Sequence, residues 1–120
     1  MSTVKPTEIN FHKLSCVLEL SFADGANFKL PTEYLRVYSP SAEVQGHGPG
    51  QEVLQIGKED VNISRIEPVG HYALCLVFDD NHDTGIYSWE YLYTLGVDYD
   101  VKWQAYLARL AEAGHTRKTD

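Results

Sequence analysis

Leu14, Cys16, Leu18, Leu20 and Phe22 alternate with the polar Ser15, Glu19 and Ser21. A period of two predicts a half-buried strand. Asp24-Gly25 signals a turn, and Asn27-Phe28-Lys29-Leu30 restarts an extended run, so a β-hairpin is expected over about 13–30. Pro31-Thr32 then starts a short helix, with Thr32 as its cap and Tyr34, Leu35 and Tyr38 on the inner side. That helix cannot run past Ser39, because Pro40 disfavours helical backbone in the residue before it. Pro40 and Ser41 can open a second short turn.

The next segment, Gly46-His47-Gly48-Pro49-Gly50, reads as a loop. Val53-Leu54-Gln55-Ile56 and Val61-Asn62-Ile63-Ser64-Arg65-Ile66 read as short strands, and Pro68-Val69-Gly70 turns the chain. Tyr72 through Phe78 is the most apolar run and is expected at the centre of its sheet. Ser88 caps a helix that carries Trp89, Leu92, Tyr93 and Leu95 and stops at Gly96. Asp98 or Asp100 caps a last helix, whose inner stripe is Trp103, Tyr106, Leu107, Leu110 and Ala111. The predicted class is α+β: small antiparallel or mixed sheets, an N-terminal β-hairpin, a short middle helix, and C-terminal helices packed on the sheet.

Length and composition fit this picture. The 120 residues make one domain, ordered over about 8–113 with a disordered tail at 114–120, and 43% hydrophobic content suffices for a core. Ten Lys and Arg against 17 Asp and Glu give a net charge of −7. An acidic surface argues against nucleic acid and anionic membrane as partners. No apolar run is long enough to span a bilayer, and no signal-like segment opens the chain. Cys16 and Cys75 are expected as free buried thiols, so the expected compartment is the cytoplasm.

The chemistry concentrates in Asp79-Asp80-Asn81-His82-Asp83-Thr84-Gly85. Carboxylates and an imidazole this close can bind a divalent metal or tune one another's pKa. Counted from Asp79, the segment approaches a calcium-binding loop, but Thr84 stands where that loop needs glycine, and an alternating strand precedes it. The alternative is a polar connection, with Asp side chains bonding loop amides and Gly85 at positive φ. No G-x-S-x-G elbow, paired-cysteine motif or phosphate loop occurs.

Two stretches, Leu35-Arg36-Val37-Tyr38-Ser39-Pro40-Ser41-Ala42-Glu43-Val44-Gln45-Gly46-His47-Gly48-Pro49 and Phe78 through Leu92, together resemble a bacterial family of unknown function. That family is related to the N-terminal domain of gamma-butyrobetaine hydroxylase, and the resemblance covers about residues 10–105. In related proteins this domain precedes an iron- and 2-oxoglutarate-dependent dioxygenase domain, or is joined to a P-loop ATPase of the iron–sulfur-carrier type. The resemblance implies a small zinc module held by three cysteines and one histidine. Those positions fall here on Ser39, Ser41, Val44 and His82, so three of the four ligands are absent. The hydroxylase's catalytic iron ligands lie in its other domain, so no hydroxylase activity is carried over.

The expected function is a non-catalytic interaction module in an iron or iron–sulfur context, with a protein partner and no cofactor. Its binding surface would comprise Arg36, Ser39, Ser41, Glu43, His47, Asp79, Asp80, His82 and Asp83. The alternative is an iron- or zinc-binding protein using His82 with Asp80 and Asp83, joined by Asp79 or His47. A third reading is a small enzyme with His82 as general base.

Overall fold

Three N-terminal strands form one antiparallel sheet: β1 (Pro6–His12), β2 (Val17–Phe22) and β3 (Asn27–Pro31), in that spatial order. The structure is a computed structural model and describes residues 5–46 and 53–116. Period-two burial places Leu18, Leu20 and Phe22 of β2 inside. Gly25 takes φ 89° in the turn, and Asp24 Oδ1 accepts the Ala26 amide at 3.0 Å. The expected hairpin is therefore present, but it starts at Val17. Leu14 lies in the β1–β2 turn with its side chain fully in solvent, and Cys16 adopts φ 58° there. Strand β1 itself carries little sequence signal, because most of its side chains face solvent.

A second antiparallel sheet contains β4 (Ile63–Val69), β5 (Ala73–Phe78) and β6 (Gly85–Ser88), with β5 central as expected. Pro68 is tolerated because β4 is an edge strand. The expected strand over Val53–Ile56 is absent; that segment has no regular structure. Side chains pin it instead. Leu54 packs on Val37, Tyr106 and Leu110, and Gln55 O accepts the Tyr106 hydroxyl at 2.7 Å.

Four helices join and cover the sheets: α1 (Thr32–Val37), α2 (Ala42–Gln45), α3 (Trp89–Val97) and α4 (Tyr99–Glu112). All six residues of α1 are buried, including Glu33 and Arg36. Thr32 does not cap α1. Its hydroxyl donates to Val61 O at 2.7 Å, and Pro31 stands at the cap position. Ser88 caps α3 as expected, its Oγ accepting the Tyr91 amide at 3.1 Å. Gly96 does not end α3; the helix continues to Val97, and Gly96 lies flat against the Phe28 ring. In α4, Tyr106 and Leu110 are buried and Ala111 is exposed.

The main core joins both sheets through α1 and α3, with Leu18, Leu20, Leu35, Leu76, Phe78 and Leu92 at its centre. Tyrosine hydroxyls bridge distant segments. Tyr34 donates to Leu95 O at 2.7 Å, Tyr38 to Lys102 O at 2.6 Å, Tyr87 to Leu35 O at 2.6 Å and Tyr91 to Tyr38 O at 2.5 Å. These rings bury apolar area while their hydroxyls satisfy carbonyls that are buried at Leu95 and Leu35 and partly buried at Lys102 and Tyr38. Burial pushes the phenols of Tyr34 and Tyr87 far above the usual range and that of Tyr91 up to about 12, so they stay protonated donors. Among the described residues, no helix is long and apolar enough to cross a membrane.

Candidate functional site

The turn after β5 is closed by its own backbone. Phe78 N donates to His82 O at 2.9 Å, and Asn81 N donates to Phe78 O at 3.3 Å. Asn81 supplies the positive φ, at 70°, a conformation that Asn tolerates. Gly85 was expected in that role, but it is a strand residue of β6 with another reason to lack a side chain. A Cβ there would sit 2.6 Å from Ser39 Oγ and 2.9 Å from Tyr87 Cε1.

Each carboxylate of the turn has a distinct position. Asp79 splices the turn onto the start of β4: its Oδ1 accepts the Asn62 amide at 3.1 Å, and its own amide donates to Asn62 O at 2.9 Å. Asp80 Oδ2 accepts Arg36 Nε at 2.9 Å and Lys58 Nζ at 2.6 Å. Burial pulls the Asp80 carboxyl upward, but Lys58 and Arg36 outweigh it and hold its pKa below the usual carboxylate range. Asp83 is exposed, and its backbone carbonyl receives the Cys75 thiol at 3.3 Å. Burial, with Glu67 and Asp83 nearby, raises the Cys75 pKa and so suppresses its thiolate. Both cysteines are free, and each is half-buried rather than fully inside.

His82 points inward and is only 3% exposed. Its Nε2 lies 2.9 Å from Ser39 Oγ and 3.3 Å from Ser41 Oγ. Ser39 Oγ also accepts the Ser41 amide at 3.3 Å, and Gln45 Nε2 donates to Ser39 O at 3.0 Å. The end of α1 and the loop after it therefore meet the turn after β5 twice, through Arg36–Asp80 and through Ser39, Ser41 and His82. Of the residues expected at the site, these five converge, while Asp79 and Asp83 point elsewhere in the turn. The Glu43 side chain and the whole of His47 lie outside the described residues.

The donor set does not suit a metal of the kind the resemblance implies. Two hydroxyls, the isopropyl group of Val44 and one imidazole replace three thiolates and an imidazole, and neither Ser nor Val supplies the soft anionic sulfur that holds structural zinc. The set of His82, Asp80 and Asp83 fares no better, since Asp80 is taken by two cations and Asp83 is exposed. Among the described residues, no three His, Cys, Asp or Glu side chains gather in a metal-holding group.

Beside this cluster lies a feature that the sequence reading missed. A groove of about 300 Å³ runs between the α1–α2 segment and α4, lined by Val37, Tyr38, Pro40, Val44, Gln45, Val53, Tyr91, Lys102 and Arg109. Lys102 Nζ stands 5.0 Å from the centre of the Tyr38 ring, a cation–π distance. Among the described residues, neither Lys102 nor Arg109 has a carboxylate partner. The available signal was that these are the only cations of α4, spaced seven residues and hence two turns apart on one face.

Among curated proteins, nothing matches the chain. A family model described as "Gamma-butyrobetaine hydroxylase-like, N-terminal" matches residues 9–93. Two solved NMR solution structures are similar throughout. One is 49% identical with a TM-score of 0.84, covering 99% of this chain and 94% of its own. The other is 52% identical with a TM-score of 0.82, covering 97% of this chain and 86% of its own. A crystal structure of a protein of unknown function from Acidithiobacillus ferrooxidans is 42% identical, with a TM-score of 0.64 over 76% of this chain and 91% of its own.

Proposed function

The chain belongs to the gamma-butyrobetaine hydroxylase-like N-terminal family, and from that membership we propose that it is a non-catalytic module that binds a protein partner. Its working surface is the groove between the α1–α2 segment and α4. The observation that carries this reading is a contrast between neighbours. Two acid–base groups of the polar loops are engaged within the fold: His82 is buried against Ser39 and Ser41, and Asp80 is held by Arg36 and Lys58. The groove next to them is lined by two cations, Lys102 and Arg109, with Val53 exposed at its edge. A buried imidazole and a neutralised carboxylate suit a scaffold; an open, mixed groove suits recognition. The family description concerns the N-terminal part of hydroxylase-like proteins, which supports a module that works beside a catalytic unit. The iron-enzyme setting implied by the resemblance is the context in which to seek the partner.

A photo-cross-linking residue at Val53, which lines the groove and is 52% exposed, tests this. The control places the same residue at Ile9 on β1. A discrete protein adduct from Val53 alone supports the reading. No adduct, or equal adducts from both positions, refutes it.

A further inference from the structure

We infer that the groove beside α4 docks an acidic segment of the partner protein, with an apolar side chain seated between two carboxylates. The inference rests on the binding-module reading and adds the chemistry of what is bound. Charge is the first argument. The chain carries 17 acidic residues against 10 basic ones, yet the charged side chains lining the groove are Lys102 and Arg109. The cations of the neighbouring polar cluster do have a carboxylate: Arg36 and Lys58 share Asp80. Lys102 and Arg109 have none among the described residues. Two cations beside one cavity, without a carboxylate partner among the described residues, favour an anionic occupant, because a carboxylate there gains charge-assisted hydrogen bonds.

Shape is the second argument. Val37, Val44 and Val53 form the apolar part of the wall. The volume of about 300 Å³ is at the low end for ligand pockets, enough for one or two side chains and too small to enclose a large cofactor. The groove opens to solvent, so an occupant can continue beyond it as a chain does. Lys102 and Arg109 are two helical turns apart, about 10 Å along α4. Acidic residues three apart in a polyproline II segment, which turns once every three residues, lie on one face about 9 Å apart.

Rigidity is the third. Tyr38 is held from both sides, donating to Lys102 O and receiving the Tyr91 hydroxyl at its own carbonyl, and the Lys102 ammonium lies over its ring. A wall ordered before binding loses little entropy on binding.

The test uses the full chain and a fluorescein-labelled peptide containing Glu-Leu-Val-Glu, with a control peptide bearing glutamine for both glutamates. Fluorescence anisotropy is expected to show saturable binding of the acidic peptide and roughly tenfold weaker binding of the control. The double variant Lys102→Gln with Arg109→Gln should weaken the acidic peptide about tenfold, whereas Arg109→Lys, which keeps the charge, retains most of the affinity. Circular dichroism checks that the variants fold. Equal binding of both peptides, absence of binding, or insensitivity to the double variant overturns the inference. Displacement by free adipate at the same concentration as by unlabelled peptide also overturns it and makes the groove a small-dicarboxylate site. Val53 adducts without peptide binding leave the module reading standing and this inference fallen. Peptide binding without Val53 adducts refutes the module reading and overturns this inference with it.

Discussion

Replacing Asp80 with asparagine removes one negative charge while keeping the side chain's size, so it isolates what the ion pairs at the β5 turn contribute. The Arg36 side chain is 8% exposed, those of Asp80 and Lys58 23% and 21%. Exposed pairs contribute about 0.2–1 kcal/mol, and breaking a fully buried pair costs about 3–5 kcal/mol. This site lies between those limits. Arg36 also keeps Gln55 Oε1 at 3.0 Å, which softens the loss. The expected cost of Asp80→Asn is about 2 kcal/mol, which for a chain of this length lowers the melting temperature by about 8 °C. The folded-state pKa of Asp80 lies below its unfolded value of about 3.9. Its contribution is therefore complete above that unfolded value and disappears as pH falls through the folded one. Calorimetry should show wild type and Asp80→Asn separated at pH 7 and converging at a pH well below that unfolded value. An unchanged separation at both pH values would assign the effect to packing and refute the electrostatic argument, as would no separation at pH 7.

Three further perturbations probe other parts of the argument. Gly96→Ala puts a Cβ 2.3 Å from Phe28 Cγ and forces apart the Phe28–Tyr93 edge contact; a loss of about 2 kcal/mol in urea unfolding is expected, and an unaltered midpoint contradicts the close packing. Tyr87→Phe leaves the buried Leu35 carbonyl without its 2.6 Å donor and should cost about 1–3 kcal/mol; hydrogen exchange no faster in α1 argues against that role. The triple variant Ser39→Cys, Ser41→Cys, Val44→Cys restores with His82 the ligand set that the resemblance implies, and one zinc per chain is expected by elemental mass spectrometry; zinc uptake no higher than in wild type means that these positions do not converge as the His82–serine distances indicate.

Elements with a strong period were legible in the chain. The apolar run of β5 and the Ser88-capped α3 are where their residues place them, since burial and capping act over a few neighbours. Strand β1 and the irregular Val53–Ile56 segment were not. The first hides because it is exposed, and the second imitates a strand because Val53, Leu54 and Ile56 are apolar while side-chain contacts with α1 and α4 decide its shape. The same divide holds at the site. His82 and the two serines each stood out locally, but their meeting spans 43 and 41 residues and depends on how two loops pack. Lys102 and Arg109 carry no local signal of a site, because the groove they line exists only where the α1–α2 segment packs beside α4.

The tyrosine bridges have a consequence for how this family can diverge. Among the described residues, every strand pairing lies within one of two meanders, β1-β2-β3 or β4-β5-β6, and no ladder crosses between them. Between the halves, hydroxyl-to-carbonyl bridges and apolar contacts hold the seam. A ladder fixes register in steps of one residue. A phenol on a carbonyl and an apolar interface permit small continuous adjustments. One meander can therefore accumulate substitutions, or shift by a fraction of a residue, while the other keeps its register, and the groove between α2 and α4 can be reshaped without either sheet being rebuilt.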